Sequence, residues 1–362
     1  MSRLLSQSPE SLAGTLRAAG RERAWLARDP RTGRLEASLP ELADVARAMT
    51  DWPDYRDHEA VFLEVGPETG ALFGAFLQRL SRGQGQGGLR RLAYSALEPF
   101  LRDGLRLALG MGRKCALAGL WWGGGKGLIA DARADASDDL RRTALYSEYA
   151  RFVTSLRGAY ITAEDAGTTP ADMAVIHEHT RFATCIPPAV GGSGNPSSMT
   201  ADGVVCAMET ALAVLERGSL NGKTVAMQGA GNVGAFMIER LLERGVTRIV
   251  ASEVSADRRS ELIDRIGDAR LEIRLAAPGD ESILAESCDI LAPNALGGVL
   301  HPKSIEKVDA GLVCGAANNI LADDDRDSAL LATRGVAYVP DFLANRMGIV
   351  ACCNEQYGGL PD

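Results

Sequence analysis

Lysine is scarce in this 362-residue chain: of 39 basic residues only Lys114, Lys126, Lys223, Lys303 and Lys307 are lysines, and the rest are arginines. No run of basic residues gathers positive charge, and the formal net charge is −8, which argues against nucleic acid as a partner. No apolar stretch approaches the roughly 18 residues a membrane span needs, so no membrane association is expected. Residues 1–7 lack the continuous apolar segment of a secretion signal, and a cytoplasmic address follows as an expectation. The seven cysteines form no C-x-x-C pair and sit mostly in apolar runs, which reads as buried free thiols. Histidine is down to four, and only His177-Glu178-His179 is clustered. Residues two apart on a helix face different ways, so no metal site is expected there.

The length predicts two domains, at roughly 150 residues each. Residues 1–55, rich in Arg, Ala, Leu and Glu, read as a helical extension without visible chemistry. Apolar runs at 61–65 and 71–76 around Gly66-Pro67-Glu68-Thr69-Gly70 read as strand, turn, strand. A glycine-rich loop at 83–88, a helix near 95–110 and the run Gly123-Gly124-Gly125-Lys126 follow. The Gly-, Ser- and Pro-rich segment 191–198 is the best boundary. Beyond it, strands near 224–228, 248–252, 289–292 and 312–314 alternate with helices near 200–216, 234–244 and 257–266. That alternation predicts an α/β fold with a doubly wound parallel sheet.

Gly229-Ala230-Gly231-Asn232-Val233-Gly234 matches G-x-G-x-x-G directly after an apolar strand, and Glu253 lies 24 residues beyond Gly229 at the end of the next strand. In that context the first glycine permits the tight turn, the second admits the pyrophosphate and the third packs helix on strand. Glu253 would accept hydrogen bonds from the ribose and repel a 2′-phosphate, favouring NAD over NADP, although Arg258 and Arg259 soften that preference. Lys114 and Lys126 flank an apolar run that ends in three glycines. A lysine kept dry there loses its proton more readily and can act as a base, and a second, charged lysine would hold a substrate carboxylate. The plain alternative is two surface lysines beside a buried strand. Asp165, after the strand-like Ile161-Thr162-Ala163, is either a proton carrier or, with Glu164, a cap on the helix near Pro170.

Taken together, the motifs resemble the glutamate/leucine/phenylalanine/valine dehydrogenases. The string from Thr162 to Thr169, Gly194-Asn195-Pro196-Ser197, the segment 229–234, Cys314-Gly315-Ala316-Ala317-Asn318-Asn319 and Pro340-Asp341-Phe342 occur in the family's order, over about residues 58–358. The resemblance implies a substrate-binding and oligomerisation domain at 56–195, an NAD-binding domain at 196–340, a segment 341–362 returning toward the cleft between them, and a homo-oligomer. It implies reversible oxidative deamination of an L-amino acid to a 2-oxo acid and ammonium. By the same resemblance Lys126 and Asp165 are catalytic and Lys114 holds the α-carboxylate. Gln86, Gly87, Gly88, Ala163, Ile349 and Cys352 would line the substrate pocket. Thr200 would lie by the nicotinamide, Asn318 beside the cofactor and Asn319 beside the substrate.

Gln86 stands where the leucine-type enzymes carry an apolar residue and the glutamate-type a lysine. With the small apolar wall around it, the reading leans to an aliphatic substrate, with a glutamate-type enzyme or a catalytically silent NAD-binding paralogue as alternatives. Arg346 and Met347 replace small residues of the family's turn, and the chain ends where relatives continue with helices. On that account the N-terminal segment is expected to compensate for the missing helices.

Overall fold

A computed structural model describes residues 3–131 and 139–357, and the chain divides into two compact units. The first unit holds the residues up to Asn195 and those from Ile349 onward; the second is Pro196–Gly348.

The first unit is built on seven strands: β1 (Arg23–Arg28), β2 (Leu35–Ala37), β3 (Ala60–Val65), β4 (Leu72–Arg79), β5 (Gly85–Leu92), β6 (Gly123–Ala130) and β7 (Tyr160–Glu164). They lie in the order β2-β1-β3-β4-β6-β5-β7. β5 runs parallel to both β6 and β7, and the remaining pairs are antiparallel. The segment 1–55 is therefore not a purely helical extension. In β1 exposed Arg23 and Trp25 alternate with buried Ala24 and Leu26, the period-two pattern of a half-buried strand, and β1 extends the sheet beyond β3. The helices Pro9–Ala18 and Ala43–Thr50 close the same core, where Leu16, Leu26 and Met49 pack with Phe76 and Phe100. A second apolar layer, on the other cluster of the sheet, joins Trp122, Tyr149 and Tyr160 to Ile349 and Cys352.

The glycine-rich stretch 83–88, expected to be a loop, is mostly strand, and the glycine run 123–125 is strand as well. Residues 85–88 belong to β5 and residues 123–125 to β6. The cause is the helix Leu97–Leu117, which lies directly on β6: a Cβ on Gly124 would fall 2.6 Å from the backbone nitrogen of Gly112. Only glycine lets helix and strand backbones approach so closely. The helix also runs past the expected end at 110, so Lys114 sits on its last turns rather than beside a strand.

The second unit carries β8 (Thr224–Gln228), β9 (Arg248–Glu253), β10 (Leu271–Leu275), β11 (Cys288–Pro293), β12 (Ala310–Val313) and β13 (Ala337–Tyr338). All pairs are parallel, in the order β10-β9-β8-β11-β12-β13. This is the doubly wound arrangement, which reverses direction between β8 and β11. Apolar clusters cover both faces, one including Val225, Ile249 and Ile290, the other Val250, Leu291 and Val313. β10 and β13 carry no clear alternation and were not expected from the sequence. No helix among the described residues is long and apolar enough to cross a membrane.

Candidate active site

In the first unit the charged groups collect on the face of the sheet covered by the helix Leu97–Leu117. Lys126 pairs in register with Phe76 of β4, whose ring packs against Phe100 of that helix, so Lys126 projects toward the same side. Its ammonium is almost wholly buried and donates to Asp165 Oδ2. Asp165 follows β7 directly, in a turn pinned by Thr168: the Asp165 amide donates to Thr168 Oγ1 at 2.9 Å, and that hydroxyl lies 3.1 Å from the Leu89 carbonyl. Gly167 adopts φ +81° there. Gly88 leaves the space the turn needs, since a Cβ would stand 2.6 Å from the Glu164 carbonyl oxygen and 2.8 Å from Asp165 Cβ.

Burial disfavours the Lys126 ammonium and lowers its pKa; Asp165 opposes that shift and Arg90 adds to it. For Asp165 burial alone would raise the pKa, but Lys126 and Arg90 overturn it and hold the carboxyl well below the usual range. Asp165 is thus held as a carboxylate acceptor, and the buried Lys126 ammonium holds its proton less firmly than an exposed lysine.

The cap reading of Glu164 and Asp165 does not hold. The helix Pro170–His177 is capped instead by Thr169 and Asp172, in a reciprocal capping box. Lys114 is buried near the end of its helix, not at the surface. Gln86 is 1% exposed, and its Oε1 meets no hydrogen-bond donor. Gly87 and Gly88 continue β5 from it, with Gly88 in register with Ala163. Ala163, Ile349 and Cys352 share one apolar cluster. Cys352 Sγ lies 3.3 Å from Cys185 Sγ, and all seven thiols are unpaired, although Cys206 is exposed and Cys288 half-buried. The helix carrying His177 ends there, and His179 turns to Ser147 at 3.2 Å.

Three residues of this cluster, Arg90, Asp103 and Tyr94, were not singled out from the sequence. Arg90 Nε stands 3.4 Å from Asp165 Oδ2, while its Nη1 donates to Asp103 at 3.1 and 3.2 Å. Tyr94 donates to Asp103 Oδ2 at 2.8 Å. Glu164 accepts from Asn195 Nδ2 at 3.0 Å; burial, with Asp165 adding to it, pushes its pKa up to about 7. Strand periodicity would have found Arg90: Gln86, Gly88 and Arg90 alternate onto one face once 85–92 is read as β5.

In the second unit the turn after β8 has the geometry its glycines require. Gly229 adopts φ +94°, and a Cβ on Gly234 would press on the Gly229 carbonyl at 2.5 Å. A Cβ on Gly231 would meet nothing within 4 Å, leaving an open approach to the N-terminus of the helix Asn232–Glu243. Ala230 is buried beneath the turn, and Val233 packs partly against the same core. Glu253 ends β9 with Oε1 accepting from the amides of Val254 and Ser255 at 2.8 and 3.0 Å. At the switch between β8 and β11, Gln228 Oε1 and Asn294 Nδ2 are buried without hydrogen-bond partners. Open space at Gly231 beside orphaned polar atoms fits a dinucleotide, and neither Gln228 nor Asn294 had been singled out.

Thr200 donates to the Pro196 carbonyl at 2.9 Å and lies against Gly348. Asn318 Oδ1 accepts from Asn345 at 3.2 Å; Asn319 sits at φ +54° with its amide donating to Asp341 Oδ2 at 2.7 Å. Arg346 folds back onto the Leu343 carbonyl, and Met347 lies over Gly203.

Comparison with known proteins covers both units. The sequence model described as Glu/Leu/Phe/Val dehydrogenase, dimerisation domain, matches residues 76–182, and that described as Glutamate/Leucine/Phenylalanine/Valine dehydrogenase matches residues 191–357. Leucine dehydrogenase of Thermoactinomyces intermedius is 34% identical over 310 residues, 85% of this chain and 81% of its own length. Valine dehydrogenase of Streptomyces coelicolor is 36% identical over 306 residues, 84% of this chain and 81% of its own. The crystal structure of L-tryptophan dehydrogenase from Nostoc punctiforme superposes with a TM-score of 0.62 at 30% identity, covering 88% of this chain and 85% of that one.

Proposed function

Because the chain belongs to the Glutamate/Leucine/Phenylalanine/Valine dehydrogenase family, we propose that it oxidises an aliphatic L-amino acid to its 2-oxo acid and ammonium with NAD, reversibly, through Lys126 and Asp165. When bound, the dinucleotide accepts the hydride released from the α-carbon. Every proton in the reaction is handled by the chain. Hydride leaves readily only once the amine is neutral, because the nitrogen lone pair then feeds the forming C=N bond. Asp165, ionised beside two cations, takes the amine proton. Lys126 in its neutral form removes a proton from the water that adds to the imine carbon. Asp165 then gives its proton to the carbinolamine nitrogen and, a carboxylate again, takes the hydroxyl proton as the C–N bond breaks, the C=O bond forms and ammonia leaves. Lys114 holds the α-carboxylate by charge throughout.

The observation that carries this reading is Lys126 buried on the carboxylate of Asp165. The pairing supplies one base and one proton carrier on adjacent atoms. Lys126→Ala is expected to lower turnover by roughly 10³-fold, within the usual range for lost acid–base groups, and to leave dinucleotide affinity nearly unchanged. Wild-type rate with that variant would remove the mechanism.

The apolar wall of Ala163, Ile349 and Cys352 supports an aliphatic side chain, and Gln86 offers no cation for a second carboxylate. A panel of L-amino acids, followed by NADH formation at alkaline pH, should give leucine, isoleucine and valine the highest rates and glutamate almost none. Intact NAD binding without turnover on any of them would favour the regulatory paralogue instead. NAD rather than NADP is supported by Glu253 and by the engagement of both nearby arginines: Arg258 Nη1 donates to both carboxylate oxygens of Glu261, and Arg259 donates to the Ile273 carbonyl. Assembly into a homo-oligomer through the first unit fits exposed Leu117 and Trp121 inside the segment matched to the dimerisation domain. A cytoplasmic setting remains part of the proposal.

A further inference from the structure

We propose that Arg90 is a positioning residue that sets the proton state of Lys126 by sharing Asp165 with it. This rests on the reading of Lys126 as the base. Both cations approach the same oxygen, Oδ2 of Asp165. A carboxylate devoted to Lys126 alone would hold the ammonium proton tightly and defeat a base. Arg90 takes part of that charge and adds its own repulsion to the ammonium. It is fixed in place from the far side: Asp103, on the helix Leu97–Leu117, accepts from Nη1 with both oxygens, and Tyr94 in turn donates to Asp103. Tyr94 stands edge-on to Phe100, at 5.3 Å between ring centres, so the brace is anchored in the core.

The charges around Lys126 can be counted element by element. β5 supplies Arg90, the turn after β7 supplies Asp165, and the helix supplies Asp103; in register with Lys126, β4 brings Phe76. Lys114 follows Asp103 by 11 residues on the same helix, roughly 16 Å along its axis at 1.5 Å per residue, and its charge is common to every variant compared below. With Lys126 protonated, Arg90 and Asp103 offset each other, so removing either one tips the balance in opposite directions. Loss of Arg90 leaves surplus negative charge and strengthens the ammonium; loss of the Asp103 charge does the reverse. A role confined to packing would give both variants the same sign.

The test uses the full-length protein with 13Cε-lysine, whose spectrum holds only five lysines, with Lys126 assigned by its absence in Lys126→Ala. Arg90→Gln should raise the Lys126 pKa by about one pH unit or more, in line with the effect of a neighbouring charge. Asp103→Asn should lower it, and Arg90→Lys should stay near wild type. The acid limb of kcat/KM should move with each. Unchanged pKa values, or shifts of one sign in both variants, overturn the proposal. If Arg90→Gln fails to fold, Asp103→Asn decides alone: a lowered pKa supports it, and an unchanged or raised one overturns it. If the pKa values shift as expected but the rate limb stays still, the role of Arg90 stands and Lys126 is not the base.

Discussion

The turn after β8 is made of backbone: Gly229 at φ +94°, an open Gly231 and the first amides of a helix lie within six consecutive residues. The cluster on β5, β6 and β7 is made of side chains, drawn from Gln86 to Asp165 and from the helix that lies over them. A backbone cradle depends on local chain geometry and on the absence of a Cβ. A side-chain cluster depends on the whole sheet holding its strand order and on the balance of charge. The two should fail for different reasons, and each variant below is chosen to move one and spare the other.

The largest effect is expected from deleting residues 1–50. That removes β1, β2 and two helices, stripping β3 of its neighbour and uncovering the core around Phe76 and Phe100. Calorimetry should show the transition of the first unit lost, while NAD binding by the second persists. An unchanged melting temperature would reject a structural role for this segment. Next in size, Asp165→Asn should lower turnover roughly 10³-fold by removing the proton acceptor. Its NAD affinity, read by fluorescence, should match wild type; a parallel loss of affinity would show that the two sites do not fail independently.

This contrast also decides what could be read from the sequence. The glycine motif, its flanking strand and Glu253 are contiguous or evenly spaced, so propensity and pattern locate them together. Lys126 and Asp165 were legible one at a time, through the scarcity of lysine and an unusual strand end, and their roles came from family resemblance. Arg90, Asp103 and Tyr94 were not, because their meaning depends on β5 being a strand. Its glycines read as loop, and only the backbone contacts with β6, β7 and the helix reverse that. The N-terminal strands were hidden for a related reason: β1 is short and Arg- and Ala-rich, β2 is only three residues long, and tertiary pairing overrides that local signal.

A smaller effect separates the units by pH. His58, buried in the first unit, donates from Nε2 to the Leu105 carbonyl and accepts at Nδ1 from the Arg56 amide, an arrangement that suits the neutral ring. Burial lowers its pKa from 6.5 to about 4. Between those values the unfolded chain binds the proton and the folded one does not. Stability is therefore full above pH 6.5, falls as pH drops toward 4, and changes no further below. The loss amounts to roughly 3 kcal/mol. Urea melts of His58→Gln should lack this part of the acid slope; a slope equal to wild type would mean the ring is not buried neutral.

The smallest expected change is also the most discriminating. Gly231 adopts φ −63°, which any residue tolerates, and a Cβ there would touch no protein atom within 4 Å. Gly231→Ala should therefore fold as well as wild type, with the same melting temperature. If the open space receives a pyrophosphate, the added methyl intrudes on the ligand alone, and NAD affinity should fall roughly tenfold, about 1.4 kcal/mol. Gly229→Ala differs in kind, because φ +94° and the 2.9 Å approach to Ala295 Cβ strain the protein itself and cost stability before any ligand arrives. An affinity loss at 231 without a stability loss thus assigns the space to the dinucleotide, whereas unchanged affinity would empty the cradle of its function and leave the motif an ordinary βα turn.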